Sequence, residues 1–452
     1  MVSSDIHANL LASIDSVLAS LSFKPAKLTV ALSGGLDSVA LLHCAHNWCQ
    51  QYQVLLSAHH VHHGLSRYAD DWLSFCQSLC ESLGVEFSST KLTLTREGGE
   101  SLEACARDAR YQALATHETE VFLLAQHQDD QVETGMMMLL RGSGPAGLVG
   151  MPAVRQADGK WWLRPWLSIP RQQLYALAVQ QGWQWVEDES NQDVRFDRNF
   201  WRQTVLPVIE ARYPSYRAAI CRSQKLLRES MSIAEDLAAI DLQTCQTQSN
   251  SLRLGALLGL ADYRAKNVLR HWLVKMHQHQ PPSAVWLENL WKQLQTSRID
   301  AEIRIPLPNA VHFVGVYRQE LFFETARFTE FSVFTLAVDW HSTAGVVPIP
   351  HWQGSLHWQQ VDGDGVRLDW LRSEVAILRG RQGGEKIKLS SNTPTKSLKQ
   401  CWQEKGIPPW QREVAPLLLL ADQLAWVPTL GYAHAAKAAP NEMGILFSWV
   451  FD

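Results

Sequence analysis

The stretch Leu28-Thr29-Val30-Ala31-Leu32-Ser33-Gly34-Gly35-Leu36-Asp37-Ser38 decides the fold of the first half of the chain. Its apolar run ends in a Ser-Gly-Gly turn, and an apolar helical pattern begins just past Asp37 and Ser38. This order predicts a strand, a glycine turn and the N-terminus of a helix. The first N–H groups of a helix have no acceptor within it, and glycines let an anion approach the backbone. The stretch therefore predicts a phosphate-binding loop.

Asp37 distinguishes this loop from the Walker loop, which carries a lysine in its turn. A carboxylate beside a polyphosphate is repelled unless a cation lies between them, so Asp37 predicts a bound Mg²⁺. An ordinary strand-to-helix turn capped by Asp is the structural alternative. The motif S-G-G-x-D-S resembles the pyrophosphate loop of the N-type ATP pyrophosphatases, which adenylate a carbonyl oxygen. The residues that this resemblance assigns to ATP are Ser33, Gly34, Gly35, Leu36, Asp37 and Ser38.

Composition places the chain among globular proteins of more than one domain. It has 452 residues, of which 46% are hydrophobic and 19% charged, and such a length predicts two to four domains. No apolar run reaches 18 residues, so no membrane span is expected. The first residues repeat apolar side chains at helical spacing, which is unlike a signal peptide. Eight scattered cysteines without a C-x-x-C pair predict reduced thiols in a cytoplasmic protein.

Strand and helix patterns alternate through the first part of the chain. Residues 1–214 are predicted to form an α/β domain with a doubly wound parallel sheet. In such sheets ligands bind beyond the C-terminal ends of strands. Predicted strands at Gln53–Ala58 and Val121–Ala125 would place three segments there. These segments are Ser33–Ser38, His59–Gly64 and Gln126–Glu133.

The second half has weaker patterns. Residues 215–325 are predicted to be a mostly helical middle domain that ends in paired strands at Val311–Val316 and Glu320–Glu324. Residues 326–452 are predicted to hold a connecting segment and a small α+β domain with its core at about 371–450. The part from 325 to about 370 is rich in Trp and is predicted to be irregular.

Two basic runs stand out against the net charge of −4. Residues 195–229 hold eight Lys or Arg against three acidic residues, and residues 379–412 hold eight against two. Aromatic residues lie within both runs. Phosphates favour clustered cations and unstacked bases favour flat rings, so the runs predict RNA binding. The alternative is two solvated charged faces.

Asp130 and Glu133 are three residues apart at the start of a predicted helix, so they share a face. One interpretation is a capping arrangement of that helix. The other is a carboxylate pair that faces ATP–Mg²⁺ or a cationic substrate.

Histidines crowd the segment His59-His60-Val61-His62-His63. A zinc site is conceivable from their number, but four ligands so close in sequence cannot easily surround one ion. Neutral imidazoles near a nucleotide, or rings bonded to the backbone, are the favoured interpretation. On the helix that follows, Arg107 pairs with Glu103 at i,i+4 spacing or reaches a phosphate.

Several motifs together resemble one family, tRNA(Ile)-lysidine synthetase. They comprise Ser33–Ser38, His62-His63-Gly64-Leu65, 103–111, His127 with Asp129-Asp130-x-x-Glu133-Thr134, Arg141-Gly142-Ser143-Gly144-Pro145-Ala146-Gly147-Leu148, Asp188-Glu189-Ser190-Asn191 with Arg198-Asn199, and three C-terminal stretches. Those stretches are Arg381–Lys386, Lys396–Lys399 and 406–412. Gln382 stands where the family usually has Gly.

The resemblance implies a two-step reaction on tRNA(Ile) with a CAU anticodon. ATP adenylates O2 of the wobble cytidine and releases pyrophosphate, and free L-lysine then displaces AMP to give lysidine. Decoding changes from AUG to AUA. No obligate protein partner and no membrane are expected. The alternative is another tRNA-modifying enzyme of the same superfamily, such as a cytidine thiolase, for which paired cysteines are missing.

The resemblance also implies roles for single residues. Asp37, Asp130 and Glu133 are expected to be catalytic, with Asp37 on Mg²⁺ and with Asp130 or Glu133 as the base. Asp130, Glu133 and Arg198 are expected to bind lysine. The predicted tRNA or phosphate contacts are Arg107, Arg110, Arg141, Arg202, Arg381, Lys386, Lys396 and Lys399.

Overall fold

The computed structural model describes residues 2–64, 66–92, 102–189, 193–277, 282–296, 303–308, 310–327 and 332–451. Leu65, Ser190 and Asn191 of the motifs above lie outside the described residues, as does the side chain of Glu103. The chain divides into two compact units, Met1–Ala234 and Glu235–Asp452. The three-domain boundaries predicted above stay a prediction. Among the described residues, no helix has the length and apolar character needed to cross a membrane.

The first unit is built on a six-stranded sheet with the order β3-β2-β1-β4-β6-β5. The strands are β1 (Lys27–Ala31), β2 (Leu55–His62), β3 (Glu86–Lys91), β4 (Val121–Leu123), β5 (Val154–Ala157) and β6 (Lys160–Leu163). All neighbouring pairs are parallel except β5 and β6. This confirms the predicted mostly parallel sheet. The β5–β6 hairpin, which was not predicted, turns at Asp158-Gly159 with positive φ at both residues, as a two-residue hairpin favours.

Ten α-helices begin in the described part of the first unit, and the last of them continues into the second unit. They are α1 (Val2–Ala19), α2 (Leu36–Tyr52), α3 (Ala69–Leu83), α4 (Leu102–Ala115), α5 (Gln128–Leu140), α6 (Pro145–Leu148), α7 (Arg171–Gln181), α8 (Asp197–Phe200), α9 (Leu206–Arg212) and α10 (Tyr216–Cys245). A π-helical turn, Trp201–Val205, joins α8 to α9. The largest core cluster packs Leu10 and Ile14 of α1 with Leu41 of α2 and Leu174 of α7. This apolar burial holds the N-terminus of α2 against the end of β1.

One strand boundary was predicted wrongly, and it matters for the site. His59, His60 and His62 lie inside β2, which extends to His62, and not in a loop beyond its end. Alternate residues of a strand face opposite sides of the sheet, so the histidines are divided between the two faces. Each ring has a local polar partner. For example, His59 Nδ1 lies 2.8 Å from Ser88 Oγ, and His60 Nδ1 lies 2.9 Å from the carbonyl oxygen of Leu32.

The described part of the second unit contains helices and four antiparallel sheets. Its helices are α11 (Leu254–Leu258), α12 (Asp262–His277), α13 (Ala284–Thr296), α14 (Leu368–Ser373), α15 (Leu398–Glu404) and α16 (Pro409–Glu413). The first sheet has the order β7 (Leu252–Arg253), β10 (Glu320–Thr325), β9 (His312–Tyr317), β8 (Ile303–Pro306). The paired strands predicted there are confirmed.

The remaining sheets form the C-terminal part. One has the order β11 (Phe334–Thr335), β15 (Ala376–Arg379), β18 (Leu417–Leu420), β19 (Gln423–Val427), β20 (Gly431–Tyr432), and another β12 (Ala344–Ile349), β13 (Gly354–Asp362), β21 (Met443–Phe451), β14 (Val366–Arg367). A small pair joins β16 (Lys386–Ile387) to β17 (Lys396–Ser397). Residues 325–370 were predicted to be irregular, but β12 and β13 form a hairpin there whose Trp352 and Trp358 are buried.

Candidate active site

The predicted phosphate loop lies between β1 and α2. Ser33 N–H donates to Ser38 Oγ at 3.2 Å, and Ser38 Oγ donates to the carbonyl of Gly35 at 3.0 Å. These bonds hold the loop closed across the first turn of α2. Gly35 is the N-cap of that helix and makes no side-chain cap, so the first N–H groups of α2 point out of the helix end, where an anion binds well.

Gly34 is required by both conformation and space. Its φ is +87°, and a Cβ there would lie 2.9 Å from Val186 Cγ2 and 3.1 Å from Cys76 Sγ. Its carbonyl also accepts a hydrogen bond of 3.0 Å from Val186 N–H. The segment before the undescribed residues 190–192 therefore packs against the loop and sets its position.

Asp37 lies in the first turn of α2 and faces two cations. Arg171 Nε lies 3.2 Å from Asp37 Oδ1, and His127 Nε2 lies 3.6 Å from Oδ2. Burial raises the pKa of Asp37, but the hydrogen bond and charge of His127 and the charge of Arg171 outweigh it, so the pKa is lowered. Asp37 is therefore an ionised carboxylate beside the phosphate loop.

His127 joins Asp37 to the acidic start of α5. It caps that helix, its side chain is 2% exposed, and its Nε2 lies 3.4 Å from Asp130 Oδ2. Burial lowers the pKa of His127, but the charges of Asp130, Asp37 and Asp129 raise it above its ordinary value. The capping interpretation is confirmed in part, because Asp130 Oδ2 accepts the His127 backbone N–H at 3.0 Å. Capping uses one oxygen of Asp130 and leaves the other for a ligand or partner.

Arg202 binds both members of the predicted carboxylate pair. Its Nη2 donates to Asp130 Oδ1 at 2.7 Å, and its Nε donates to Glu133 Oε1. Asp130 and Glu133 are thus brought together on one face of α5, as their spacing predicts. Arg202 was predicted as a tRNA or phosphate contact, but in this structure its guanidinium is directed at the two carboxylates.

Glu133 is the most buried carboxylate of the site. Its side chain is 1% exposed, and its Oε2 is buried without a hydrogen-bond partner. Burial raises the pKa of Glu133, and the charge of Asp130 raises it further, against the opposing effect of Arg202. A buried acceptor without a donor is costly in a folded protein, so this oxygen is suited to a substrate donor or to a proton.

The donor set around Asp37 fits Mg²⁺ bound together with a polyphosphate. Mg²⁺ in nucleotide sites usually takes one or two carboxylates and completes its shell with phosphates and water. Asp37 Oδ1 is buried and accepts no hydrogen bond, although Arg171 is near. Within the described ranges no group of three or more His, Cys, Asp or Glu is arranged to hold a metal by itself. This is evidence against the zinc interpretation of the histidine segment in that part of the chain.

Three arginines on α4 and α8 form a basic group, and one of them, Arg198, acts on a carboxylate of the pair. Arg110 Nε donates to His63 Nε2 at 3.0 Å, and the charges of Arg107 and Arg198 act on Arg110. The charge of Arg198 also acts on Glu133. Three of the predicted contact residues therefore lie close enough to influence one another electrostatically, as a site for a phosphate or carboxylate needs.

The remaining residues that were predicted to contact tRNA or phosphate differ in their partners and in their exposure to solvent. Arg141 pairs with Asp197 at 3.3 Å, and Lys396 pairs with Glu404 at 2.7 Å. The guanidinium of Arg381 lies over the ring of Trp402, 5.7 Å from its centroid. Lys386 and Lys399 are exposed. Their roles toward RNA stay a prediction.

Three residues that support the site were missed. Arg171 N–H donates to Asp129 Oδ2 at 2.9 Å, and Arg217 Nε donates to Asp129 Oδ1 at 2.6 Å. The side chain of Gln131 pairs with both the N–H and the carbonyl of Met151 at 2.7 Å. Gln131 stands in a quoted motif, and Arg217 lies in the basic run of residues 195–229. Arg171 and Arg217 lie 42 and 88 residues from Asp129, and no local pattern predicts their contacts with it.

Three family models match successive parts of the chain. They describe a PP-loop domain at residues 6–209, a TilS substrate binding domain at 252–322 and a TilS substrate C-terminal domain at 376–449. Of the solved structures, U34-tRNA thiolase NcsA from Methanococcus maripaludis covers 49% of this chain and 79% of its own at 18% identity and a TM-score of 0.43, too low to carry any argument about function.

Curated relatives match nearly the whole chain. The tRNA(Ile)-lysidine synthase of Nitrosomonas europaea is 38% identical over 94% of this chain and 92% of its own length. That of Salmonella typhi is 36% identical over 94% of this chain and 96% of its own. These matches extend over both compact units, and they show that this chain belongs to the tRNA(Ile)-lysidine synthase family.

Proposed function

We propose that this chain joins free L-lysine to C2 of the wobble cytidine in the CAU anticodon of tRNA(Ile), with ATP as the activating substrate. The observation that carries the proposal is a continuous series of charged contacts. It runs from Asp37 at the phosphate loop through His127 and Asp130 to Arg202 and Glu133. An ATP-binding loop and a carboxylate pair within one network suit a reaction that needs both a nucleotide and an amine.

The first step is adenylation of the cytidine. The C2 carbonyl oxygen attacks the α-phosphorus of ATP, the bond to the bridging oxygen breaks, and pyrophosphate leaves. Ser33–Ser38 would bind the phosphates on the N-terminus of α2. Asp37 would hold Mg²⁺, which when bound offsets the charge of the phosphates.

The second step is attack by lysine. The neutral Nζ adds to C2, the bond from C2 to the adenylate oxygen breaks, and AMP leaves. The ammonium form has no lone pair, so a base must first take its proton. Glu133 is suited to this task, because its Oε2 is a buried acceptor without a partner and its pKa is raised. Asp130 would bind the same ammonium group.

The tRNA would approach over the basic residues. Arg107, Arg110 and Arg198 form a positive group beside the carboxylates, which suits the phosphates around an anticodon or the carboxylate of lysine. In the second unit, Arg381, Lys386 and Lys399 offer further phosphate contacts.

The cysteines argue against a thiolase activity. Burial raises the pKa of Cys44, Cys49, Cys76 and Cys80 to about 12. A sulfur carrier needs an accessible thiolate near neutral pH, and these four residues are buried. Cys105 and Cys221 are partly exposed, but neither belongs to a C-x-x-C pair.

Labelled lysine tests the proposed function directly. The chain is incubated with ATP, Mg²⁺, L-lysine labelled with ¹⁴C and a tRNA(Ile) transcript with CAU or GAU as anticodon. We expect label in the CAU transcript alone, with one pyrophosphate and one AMP released per lysine. Pyrophosphate release without label in RNA would contradict lysine as the nucleophile. Equal labelling of both transcripts would contradict cytidine at the wobble position as the target.

A further inference from the structure

Arg202 covers the carboxylate pair that the proposed function assigns to lysine. The side chain of Glu133 is 1% exposed and that of Asp130 is 11% exposed, whereas that of Arg202 is 38% exposed. The guanidinium therefore lies between the two carboxylates and the solvent. A ligand that comes from solution meets Arg202 before it meets either acid.

The backbone that carries Arg202 has an unusual conformation. Residues Trp201–Val205 form a π-helical turn between the short helices α8 and α9. Such turns are rare in proteins, and those that do occur often lie at functional sites. Trp201 is buried in a cluster with Val132 and Leu206, so the turn is anchored on one side while the neighbouring arginine extends over the carboxylates. The side chain of Arg202 can therefore move while Trp201 stays buried.

The guanidinium of Arg202 carries the same charge as the ammonium group of the lysine substrate. A guanidinium and a lysine ammonium each carry one positive charge and donate hydrogen bonds to carboxylates. Asp130 Oδ2 already accepts from His127, so the acceptors left for an incoming ammonium are Asp130 Oδ1 and the two oxygens of Glu133. Arg202 binds one oxygen on each residue. The two cations therefore compete for Asp130 Oδ1 and Glu133 Oε1, whereas Glu133 Oε2 is not bound by Arg202.

We propose that Arg202 is a displaceable occupant of the lysine ammonium site and competes with the substrate. The proposal rests on the proposed function, in which Asp130 and Glu133 bind lysine. Lysine enters when the guanidinium withdraws toward solvent, and exchange of one cation for another leaves the net charge of the site unchanged. Lysine then binds only to molecules in which Arg202 has withdrawn. The apparent affinity for lysine is therefore the intrinsic affinity multiplied by the fraction of molecules in that open state.

Removal of the competitor tests this directly. If the open state is about one tenth of the population, Arg202→Ala lowers the KM for lysine about tenfold. Arg202→Lys keeps a cation but cannot donate to both carboxylates from fixed nitrogens, so its KM falls between those of Arg202→Ala and wild type. Thermal unfolding with and without lysine shows that each variant is folded, and we expect a larger stabilisation by lysine in Arg202→Ala than in wild type.

Two further variants separate the possible outcomes. Arg264→Ala is the matched control, because Arg264 is a similarly exposed arginine that covers a buried carboxylate, Asp241, at 2.5 Å in the second unit, and its KM for lysine is expected to stay within about twofold of wild type. Glu133→Gln should raise that KM. If Glu133→Gln and Arg202→Ala both raise it, Arg202 supports the site and the competition is wrong. If Glu133→Gln has no effect, the lysine site itself is wrong.

A small cation gives an independent readout. Guanidinium chloride at low millimolar concentration should inhibit Arg202→Ala competitively with lysine, because the free ion takes the place of the missing side chain. Wild type should be inhibited more weakly, since its own guanidinium already fills the site. Inhibition of equal strength in both proteins, or inhibition that lysine does not relieve, would overturn the proposal.

Discussion

His127 Nε2 lies 3.6 Å from Asp37 Oδ2, so the cap of α5 forms an ion pair with the first turn of α2. The contact joins the two strand ends, β1 and β4, at which the nucleotide and the amine are proposed to bind. It also explains why the pKa of His127 is raised although the ring is buried, because Asp130, Asp37 and Asp129 oppose the desolvation. Placement of Asp37 thus depends on α5 as well as on its own loop.

Asp37→Ala should abolish tRNA-dependent AMP release. Loss of a charged group that organises the reacting phosphates typically costs a factor of about 10²–10³ in rate. Asp37 pairs with Arg171 and His127, neither of which is a predicted tRNA contact, so tRNA affinity should change little. Single-turnover assays and filter binding measure the two quantities. Turnover near the wild-type rate would refute the proposed Mg²⁺ role.

Glu133→Gln should raise the KM for lysine about 10- to 100-fold, the range expected for loss of a charged hydrogen bond. The amide keeps the shape of the side chain but accepts no proton, so kcat should fall as well. Steady-state kinetics with varied lysine at saturating ATP measure both constants.

Asp129→Asn is the comparison for that result, because Asp129 lies on the same helix turn and binds Arg217 and the Arg171 backbone. Its KM for lysine should change much less than that of Glu133→Gln. An unchanged lysine dependence in Glu133→Gln would return Asp130 and Glu133 to a purely structural interpretation.

Gly34→Ala should impair ATP binding and stability together. The substitution places a Cβ at φ +87°, 2.9 Å from Val186 Cγ2, so strain and overpacking add to about 2–4 kcal/mol. Gly159→Ala is the matched control, since its φ is +70° but no atom lies within 4 Å of the added Cβ. This control should lower the free energy of unfolding only through the strain of the positive φ, by about 1 kcal/mol. Urea unfolding and the KM for ATP compare the two, and equal effects on stability would show that the contact with Val186 is unimportant.

Local patterns predicted the elements that carry the site, and they failed where partners are distant in sequence. The Ser33–Ser38 turn and the spacing of Asp130 and Glu133 are short-range signals, and both lie where the pattern placed them. The binding of Arg202 to that pair spans about 70 residues and has no local signature. The end of β2 was misplaced because the hydrogen-bond partners of His59 in the strand, Ser88 and Thr90, come from the neighbouring β3 and are distant in sequence.

The motif at residues 406–412 also shows what a local pattern cannot predict. The stretch around Trp410 resembled part of a family domain and lay in a basic run, which suggested RNA. In the structure Trp410 is buried with Phe313 and Tyr317 of the β9 strand, and Arg412 Nη2 donates to Tyr317 Oη at 2.7 Å. These two residues join parts of the second unit that are about 95 residues apart. A motif alone does not reveal whether its aromatic residue faces a base or another strand.

Gly315→Ala should destabilise the second unit. An added Cβ would lie 2.6 Å from the ring of Trp410, so the ring must move and the cost is about 1–3 kcal/mol. Gly255→Ala, in the same unit, meets no atom within 4 Å and should be neutral or stabilising by up to about 1 kcal/mol. Thermal unfolding of the full chain compares the pair. A stability of Gly315→Ala equal to that of Gly255→Ala would contradict the packing of Trp410 on β9.

Acid should destabilise the chain partly through His59. Burial, with the charges of His117 and His60, lowers the pKa of His59 from 6.5 to about 4. Between these two pH values the unfolded state therefore binds a proton that the folded state does not. The contribution of His59 to the free energy of unfolding is fully present above pH 6.5 and decreases as the pH drops toward 4, by at most about 1.4 kcal/mol per pH unit. His59→Gln keeps a polar group near Ser88 and should give a flatter profile of unfolding free energy between pH 7 and 5, measured with urea. Because His43 and His63 also have a pKa of about 4, some acid sensitivity should remain, whereas parallel profiles for variant and wild type would show that His59 titrates normally.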